Sequence, residues 1–379
     1  MFTTTRATHN YSIRFEGFFL NHWAEASIMY FLVYFVKRVR YFCSVNRDLG
    51  GDKMSAVKSK LDEHITKLES EGLFSGAVLV ASKGELLLRQ GYGMANYEHD
   101  VPNTPETVFR IGSITKQFTA FCILQLVDKG IIQLHDSVGK FIPEFPNGNI
   151  ITIHHLLSHS SGILNPPSAN DVRDSSRAKH SVDDLIDMFK DAPLAFAPGK
   201  GFKYSNSGYI LLGKIIEVVG GGTYEEYLVD NVFRKIGMNQ SGYDHSEQVL
   251  KNRAVGYVQF EGSLINSHYI DMSRPYAAGG LYSTVDDLYI WDKSLYSDNL
   301  LSEKTMTSMF TPYVGPYGYG WWIPEQERRA VWHGGIISGF TGMIIRYIDD
   351  NLTCIVLSNI DHSIARELGW ELADLVFKT

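Results

Sequence analysis

The sequence predicts an α+β fold, with strands near both ends of the chain and helices between them. Three observations support this prediction. A helical pattern is followed at once by a hairpin pattern, the middle of the chain is mostly helical, and strand patterns return after about residue 275. The elements that give these patterns follow in chain order.

The first elements are a helix and a hairpin. Val57, Leu61 and Ile65 recur at helical spacing, which predicts an amphipathic helix over residues 55–71. The apolar runs 76–80 and 86–88 then predict two strands, because a Ser-Lys-Gly turn separates them.

The middle of the chain contains the longest apolar run, Phe118 to Val127, which predicts a helix that ends near Gly130. Further helices are predicted over residues 182–189, 208–219 and 224–233. This stretch is therefore mostly α.

Strands return in the last third of the chain. Thr284 is a predicted N-cap for a helix from Val285 to Leu295, and residues 318–322 begin strand-like sequence. Residues 343–347 and 353–357 read as strands on either side of an Asp-Asp-Asn turn, before a last helix over about 361–376.

Composition limits the kinds of partner that the protein binds. Of 379 residues, 44% are hydrophobic and 20% charged, which is enough to bury a large core. The net charge is −7 and no block of like charge stands out, which argues against nucleic acid as a partner. The cysteines, Cys43, Cys122 and Cys354, are far apart and indicate neither a disulfide framework nor a thiolate zinc site.

Residues 1–53 differ from the rest and are predicted to be a non-native or disordered extension. Residues 26–36 are apolar and basic residues follow, but the run is too short to span a bilayer. Residues 50–54 can be back-translated as GGA-GGT-GAT-AAA-ATG, which looks like a ribosome-binding sequence before a start codon. We therefore expect translation to begin at Met54 and the protein to be cytoplasmic. A membrane-associated protein is the alternative, and membrane contact is expected only if residues 1–53 are real.

Ser113 and Lys116, three residues apart, open the longest apolar run. On a helix this spacing puts both side chains on one face. A serine hydroxyl becomes a nucleophile when a base takes its proton, and a lysine becomes that base when burial lowers its pKa. Spacing alone does not select this pair, because the chain has four Ser-x-x-Lys matches: Ser55/Lys58, Ser113/Lys116, Ser137/Lys140 and Ser176/Lys179.

His155 and His159 are four residues apart, a spacing that allows two imidazoles to bind one metal ion. No acidic residue lies between or beside them, so hydrogen bonding within a short helix and the turn at Gly162 is the favoured interpretation. The sequence predicts neither a metal nor another cofactor.

Two further motifs occur once each: Tyr204-Ser205-Asn206 and His333-Gly334-Gly335. With the segment around Ser113 they resemble, in order, the active-site motifs of the serine beta-lactamase and penicillin-binding protein superfamily. The similarity is to its class C branch, which includes DD-peptidases, D-aminopeptidases and esterases. It covers residues 73–377, including the segments 109–117, 152–162, 198–199, 236–238 and 278–281 and Gly339.

The resemblance implies a beta-lactamase/transpeptidase-like fold, in which an antiparallel sheet is flanked by helices and carries an inserted, mostly helical domain. Residues 54–110 and 276–379 would form the sheet domain and residues 111–275 the helical domain. The active site would lie between them.

The resemblance also implies residue roles. Ser113 would form an acyl-enzyme, and Lys116 and Tyr204 would share proton transfer. Asn206 would bind Lys116 and a substrate amide. The backbone N–H groups of Ser113 and Ile336, which follows Gly335, would form the oxyanion hole. A tyrosine begins near pKa 10, so Tyr204 is expected to need a cation such as Lys116 to lower its pKa.

His333 is a departure from the family pattern, because beta-lactamases commonly have lysine there to bind the substrate carboxylate. This favours a serine hydrolase acting on D-amino-acid peptides, amides or esters over efficient beta-lactam hydrolysis. The expected partner is a small-molecule or peptide substrate. The alternative is a non-catalytic penicillin-binding sensor or scaffold, whereas an α/β-hydrolase is disfavoured because the chain has no Gly-x-Ser-x-Gly motif.

Overall fold

The computed structural model describes residues 51–165, 177–297 and 300–379. The apolar segment 26–36, Cys43 and Ser176 lie outside these residues, so the expectations about the extension and its membrane contact stay predictions. The described residues all fall within one compact unit.

A five-stranded antiparallel sheet is the centre of the fold and joins both ends of the described chain. Its strands are, in spatial order, β10 (Ala330–Ile337), β11 (Phe340–Tyr347), β12 (Leu352–Ser358), β1 (Gly76–Ser82) and β2 (Glu85–Tyr92). Every residue of β1, β11 and β12 is buried, which explains their nearly continuous apolar sequences.

Two long helices cover one face of the sheet: α1 (Gly51–Ser70) and α11 (Ala365–Lys378). The predicted stripe of α1, with Leu61 at its centre, packs with Leu372 of α11 and with Val78 of β1 in one apolar cluster. Both helices are amphipathic because their other faces meet solvent.

The opposite face of the sheet packs against the remaining helices. The longest two are buried along most of their length, so they lack a polar face. In chain order these helices are α2 (Thr115–Asp128), α3 (Ile153–Leu157), α4 (Val182–Asp187), α5 (Asn206–Gly220), α6 (Tyr224–Leu228), α7 (Arg234–Ile236), α8 (Tyr276–Gly279), α9 (Val285–Ser294) and α10 (Glu303–Met309).

Short strands connect the sheet to the helical layer, and the sequence patterns did not indicate them. They form the pairs β3–β4 and β7–β8 and the three-stranded sheet β5–β9–β6. Their bounds are β3 (Met94–Asn96), β4 (Val101–Pro102), β5 (Phe109–Arg110), β6 (Gly242–Tyr243), β7 (Tyr257–Phe260), β8 (Ser263–Asn266) and β9 (Leu281–Ser283).

Two local predictions differ from the structure and one is confirmed. Residues 318–322 form no strand; Trp322 makes isolated bridges to Tyr317 and Trp332 instead. The helix predicted over residues 224–233 is interrupted after α6 by a π-helical turn, Val229–Phe233. Thr284 caps α9 as predicted, because its side chain accepts a hydrogen bond from the Asp287 N–H.

The α+β fold of the prediction is confirmed, with an antiparallel sheet flanked by helices. The division into a sheet domain and a helical domain stays a prediction. Within residues 51–165, 177–297 and 300–379, no helix is both long and apolar enough to cross a membrane.

Candidate active site

Ser113 lies in a 3₁₀ turn, Gly112–Ile114, that leads directly into α2. The chain enters this turn from β5, and the Ile111 N–H donates to the Leu281 oxygen of β9 at 3.0 Å. Gly112 has a φ of +50°, a conformation that a side chain would strain. Ser113 is only half-buried, so its hydroxyl stays accessible.

Lys116, in the first turn of α2, is completely buried. Its Nζ lies 3.1 Å from the Ser113 Oγ, 2.8 Å from the Asn206 Oδ1 and 2.7 Å from the Ala278 oxygen at the end of α8. No carboxylate among the described residues pairs with it, and burial holds its pKa well below the ordinary value of lysine. The lowered pKa therefore favours a neutral Lys116 amine beside Ser113.

The structure distinguishes Ser113/Lys116 from the other Ser-x-x-Lys matches that it describes. Lys58 is exposed on α1, and Lys140 is exposed and forms an ion pair with Asp136 at 2.9 Å. Both lysines thus lack the buried environment that surrounds Lys116.

Asn206 is brought to Lys116 by the start of α5. Ser205 is the N-cap of this helix, since its side chain accepts a hydrogen bond from the Gly208 N–H at 3.2 Å. The Asn206 N–H donates to the Asn165 Oδ1 at 2.5 Å. The Asn165 side-chain amide, which the sequence motifs did not single out, also donates to the backbone oxygen of Tyr204 at 3.4 Å.

Tyr204 stands over Lys116 and is framed by aromatic rings. The Lys116 Nζ is 4.8 Å from the centre of the Tyr204 ring, within the range of a cation–π contact. The ring is stacked on Trp322, with centroids 5.9 Å apart and planes within 9°. The Tyr204 hydroxyl is buried and has no hydrogen-bond partner among the described residues.

The expected lowering of the Tyr204 pKa is not what the structure shows. Burial raises the pKa of Tyr204 above the ordinary value of tyrosine, although the nearby Ser113 hydroxyl and the Arg366 charge oppose the shift. The Lys116 Nζ lies over the ring face instead of beside the hydroxyl, and Lys116 is not among the groups that oppose the rise in the pKa of Tyr204. In the free protein Tyr204 is a neutral phenol.

Strand β10 lies directly against the Ser113 turn. A Cβ atom placed on Gly112 would be 2.9 Å from the Ile336 nitrogen, and one on Gly335 would be 1.9 Å from the Ile111 oxygen and 3.1 Å from the Ser113 nitrogen. Glycine at both positions thus allows two backbones to meet. The predicted oxyanion donors, the N–H groups of Ser113 and Ile336, belong to these touching segments.

His333, on the same strand, is 1% exposed. Its Nδ1 donates to the Gly334 oxygen at 2.6 Å, so its Nε2 is the acceptor for the Tyr317 hydroxyl at 2.9 Å. Burial, followed by the charge of Lys116, lowers the pKa of His333 to about 3. The sequence placed His333 in contact with the substrate, but the ring is neutral and offers it no free nitrogen.

The rings of His155 and His159 accept hydrogen bonds from two different backbone N–H groups. The His155 Nδ1 accepts from the Thr152 N–H at 3.2 Å as part of a capping box that begins α3. The His159 Nδ1 accepts from the Ser205 N–H at 3.1 Å, which connects this turn to the start of α5. Among the residues that the structure describes, no group of three or more His, Cys, Asp or Glu side chains could hold a metal ion.

Arg366, in the first turn of α11, is a site residue that sequence reasoning missed. Its guanidinium lies over the Trp332 ring at 5.5 Å, and a Cβ on Gly334 would be 3.2 Å from its Nε. Its positive charge opposes ionisation of His333 and favours ionisation of Tyr204. No carboxylate in the described part of the chain pairs with it, so the half-buried cation is available to an anionic group.

The structure therefore brings together the predicted residues Ser113, Lys116, Tyr204 and Asn206 at one end of α2. Gly335 and Ile336 close the group from the side of β10. Together they provide a hydroxyl, a buried amine next to it, a phenol and two backbone donors, which are the groups that acyl transfer through a serine requires.

Comparison with known proteins finds relatives of the chain in sequence and in fold. A family model described as Beta-lactamase matches residues 61–377. PbpX of Bacillus subtilis (strain 168), named as a penicillin-binding protein, is 33% identical over 293 residues, which cover 76% of this chain and 72% of that protein.

Solved structures show the same fold. The octameric penicillin-binding protein homologue from Pyrococcus abyssi superposes with a TM-score of 0.74 at 32% identity, over 84% of this chain and 77% of that one. The D-amino acid amidase from Ochrobactrum anthropi SV3 has a TM-score of 0.73 at 22% identity, over 86% of this chain and 97% of its own, a likeness of fold.

Proposed function

The chain belongs to the beta-lactamase family, and from that premise we propose that it is a serine hydrolase that forms an acyl-enzyme on Ser113. The observation that carries the proposal is the contact between the Ser113 Oγ and the Nζ of a fully buried lysine, 3.1 Å apart. Burial without a carboxylate partner is what lets Lys116 act as a base.

The partners of Lys116 match a neutral amine. The Asn206 Oδ1 and the Ala278 oxygen only accept hydrogen bonds, whereas the Ser113 hydroxyl is able to donate. A neutral amine has two N–H donors and one lone pair, so it donates to the two oxygens and accepts from the hydroxyl. This is the arrangement needed to remove the serine proton.

The proposed reaction has two stages. The Ser113 Oγ bonds to the substrate carbonyl carbon and its proton moves to Lys116, while the backbone N–H groups of Ser113 and Ile336 stabilise the oxyanion. The amide C–N or ester C–O bond then breaks, and the leaving group takes a proton from Tyr204, which is replaced from Lys116. In the second stage water attacks the ester carbonyl carbon and loses a proton to the same pair. The bond between that carbon and the Ser113 Oγ then breaks, and the pair returns the proton to the Ser113 oxygen.

The substrate that best fits the site is a peptide-like amide or ester with a free carboxylate close to the bond that breaks. The related proteins named above are described as penicillin-binding, which supports such substrates. His333 is neutral and enclosed, so we assign the contact with the carboxylate to Arg366 instead. D-amino-acid peptides are the first class to test, followed by esters and beta-lactams.

Covalent labelling tests the nucleophile. Wild-type protein is expected to react with a fluorescent fluorophosphonate or penicillin, whereas Ser113→Ala is expected to lose the label completely. The matched control is Ser55→Ala, the same substitution in another Ser-x-x-Lys pair, at an exposed position of α1. It is expected to label as the wild type does.

A label that persists in Ser113→Ala would remove Ser113 as the nucleophile. If folded wild-type protein neither labels nor hydrolyses p-nitrophenyl esters or D-alanyl-D-alanine peptides, the protein is a non-catalytic sensor or scaffold instead. Circular dichroism spectra of all three proteins establish that each is folded.

A further inference from the structure

A cavity of about 230 Å³, apart from the Ser113 site, lies where the end of α5, the start of α6, the segment after β6 and the loop before α8 meet. None of the residues assigned above to the Ser113 site lines it. At about 30 Å³ per water-sized group, it has room for about seven heavy atoms. It is thus large enough for a small organic molecule.

Three tyrosine rings form one wall of this cavity. The ring centroids of Tyr224 and Tyr276 are 5.3 Å apart, those of Tyr243 and Tyr276 are 6.3 Å apart, and those of Tyr224 and Tyr243 are 6.5 Å apart. Such a cluster presents ring faces and edges to an occupant. Tyrosine faces attract cations, because the π-system is negative above the ring.

The lining also carries excess negative charge. Glu217 and Asp271 have no lysine or arginine partner among the described residues, whereas Asp244 is paired with Arg110 at 2.7 Å and Arg253 at 3.1 Å. Two other lining carboxylates are near basic side chains: Glu225 contacts His245 at 2.6 Å, and Glu247 lies 3.7 Å from Lys179.

The titration of the lining groups reflects this charge. Burial raises the pKa of Asp271, but hydrogen bonds from Ser273 and Tyr269 outweigh it, so the net pKa is lowered and the group is ionised. The pKa of Tyr243 is raised by burial and then by the four nearest lining carboxylates. The cavity therefore has a negative potential.

Tyr276 places a hydroxyl beside Glu217 at this cavity. The residue is 8% exposed, its hydroxyl makes no well-formed hydrogen bond among the described residues, and burial followed by the nearby Glu217 carboxylate raises its pKa. Its backbone φ of +41° is also unusual for a bulky residue, and strain of this kind is concentrated at functional sites.

We propose that this cavity is a binding site for a small protonated amine, with its N–H groups donated to the Glu217 carboxylate and the Tyr276 hydroxyl and its carbon chain against the tyrosine rings. A primary ammonium ion supplies the positive charge and the donors that the lining lacks. Its alkyl chain fits the aromatic wall better than the hydration shell of a metal ion does.

Ligand-detected NMR titration of the full chain with n-butylammonium tests the proposal, with n-butanol as the uncharged control at constant ionic strength. We expect saturable binding of the amine only. Glu217→Gln keeps an oxygen for the Tyr224 N–H, which donates to Glu217 at 3.1 Å, and is expected to weaken binding at least about tenfold. Tyr276→Phe, which removes only the hydroxyl, is expected to weaken it less.

Glu261→Gln makes the same change of charge at an exposed position in the turn between β7 and β8 and is expected to bind as the wild type does. Three results would overturn the proposal: equal binding of butanol, wild-type affinity in both Glu217→Gln and Tyr276→Phe, or displacement of the amine by an equal concentration of potassium. Thermal unfolding of each variant verifies that it is folded. The titration needs no turnover, so its outcome is independent of the proposed hydrolase activity.

Discussion

At the scale of single residues, Arg366 and His333 differ in what they offer to the carboxylate of the proposed substrate. His333 uses both ring nitrogens inside the protein and is neutral, whereas Arg366 keeps its charge without a carboxylate partner in the described residues. Arginine suits this role, since its planar donors match a carboxylate. In the proposed complex the cation would thus come from α11 instead of from the third motif.

Replacing Arg366 is expected to affect only substrates with a free carboxylate. Arg366→Gln should raise the KM for a D-alanyl-D-alanine peptide about tenfold to hundredfold, since a hydrogen bond to a charged group contributes about 1.5–3 kcal/mol. Steady-state kinetics on the peptide and on its C-terminal amide measure the difference. Arg234→Gln, at an exposed arginine paired with Asp230, is the control. An equal effect on peptide and amide would contradict the assignment.

Tyr204→Phe is expected to reduce turnover without reducing stability. The hydroxyl has no partner to lose and the ring remains stacked on Trp322. General acid–base catalysis typically contributes about 10²–10⁴-fold, and we expect kcat to fall within that range. Kinetics with a p-nitrophenyl ester and thermal unfolding measure the two effects. A matching loss of Tm and activity would instead make Tyr204 a packing residue.

For single residues, the sequence predicts the site residues that belong to short motifs. It misses the residues that folding brings next to those motifs. Ser113, Lys116, Tyr204 and Asn206 are within short motifs, and the structure brings their side chains together. Arg366 lies in no motif, since its position depends on how α11 packs beside β10. The raised pKa of Tyr204 also depends on burial, which only the folded chain reveals.

The contact between strand β10 and the turn before α2 is the main element-scale feature of the site. Two backbones approach so closely that glycine is required on each, at Gly112 and Gly335. The same contact orients the N–H groups that are proposed to bind the oxyanion. Structure and chemistry therefore depend on one pair of segments.

Gly335→Ala is expected to push β10 away from Ser113, because the new methyl group would lie 1.9 Å from the Ile111 oxygen. Loss of one oxyanion donor costs about 2.7–4 kcal/mol, so fluorophosphonate labelling should slow by at least about 100-fold. Gly208→Ala is the control, because its nearest contact would be an ordinary 3.5 Å. Labelling of Gly335→Ala at the wild-type rate would refute the close-contact argument.

The elements that the sequence predicts best are long and strongly apolar, as in β1, β11, β12 and α2. Their burial comes from side-chain chemistry repeated over many residues, which a pattern reveals. Strands of two or three residues, such as β5 and β9, are too short to show a period. They form because neighbouring elements bring their backbones together.

At the scale of the whole molecule, burial favours the neutral form of four histidines of the described residues, which are fully or half buried. Burial lowers the pKa of His333 to about 3 and of His154 to about 4, and it lowers the pKa values of His155 and His159 as well. In the unfolded chain each would titrate near pH 6.5. The folded protein therefore binds fewer protons than the unfolded chain between these values.

The contribution of these histidines to the free energy of unfolding is thus expected to be fully present above about pH 6.5. The free energy of unfolding should decrease as the pH falls toward 4. Each buried histidine contributes a slope of up to about 1.4 kcal/mol per pH unit. Asp287 and Asp361, whose pKa values are raised by burial, act in the opposite direction but are fewer. Urea unfolding at pH 7.5, 6 and 5 measures the effect, and equal values at all three would disprove it.

The strand order of the central sheet also has a consequence for the time at which the protein can fold during synthesis. β1 is completely buried between β2 and β12, and 269 residues lie between Ser82, the end of β1, and Leu352, the start of β12. At about 5–20 residues per second, the ribosome needs about 14–54 s to produce them. During that interval the apolar hairpin β1–β2 lacks its partner strand β12, so its apolar residues are exposed to chaperones and to other nascent chains.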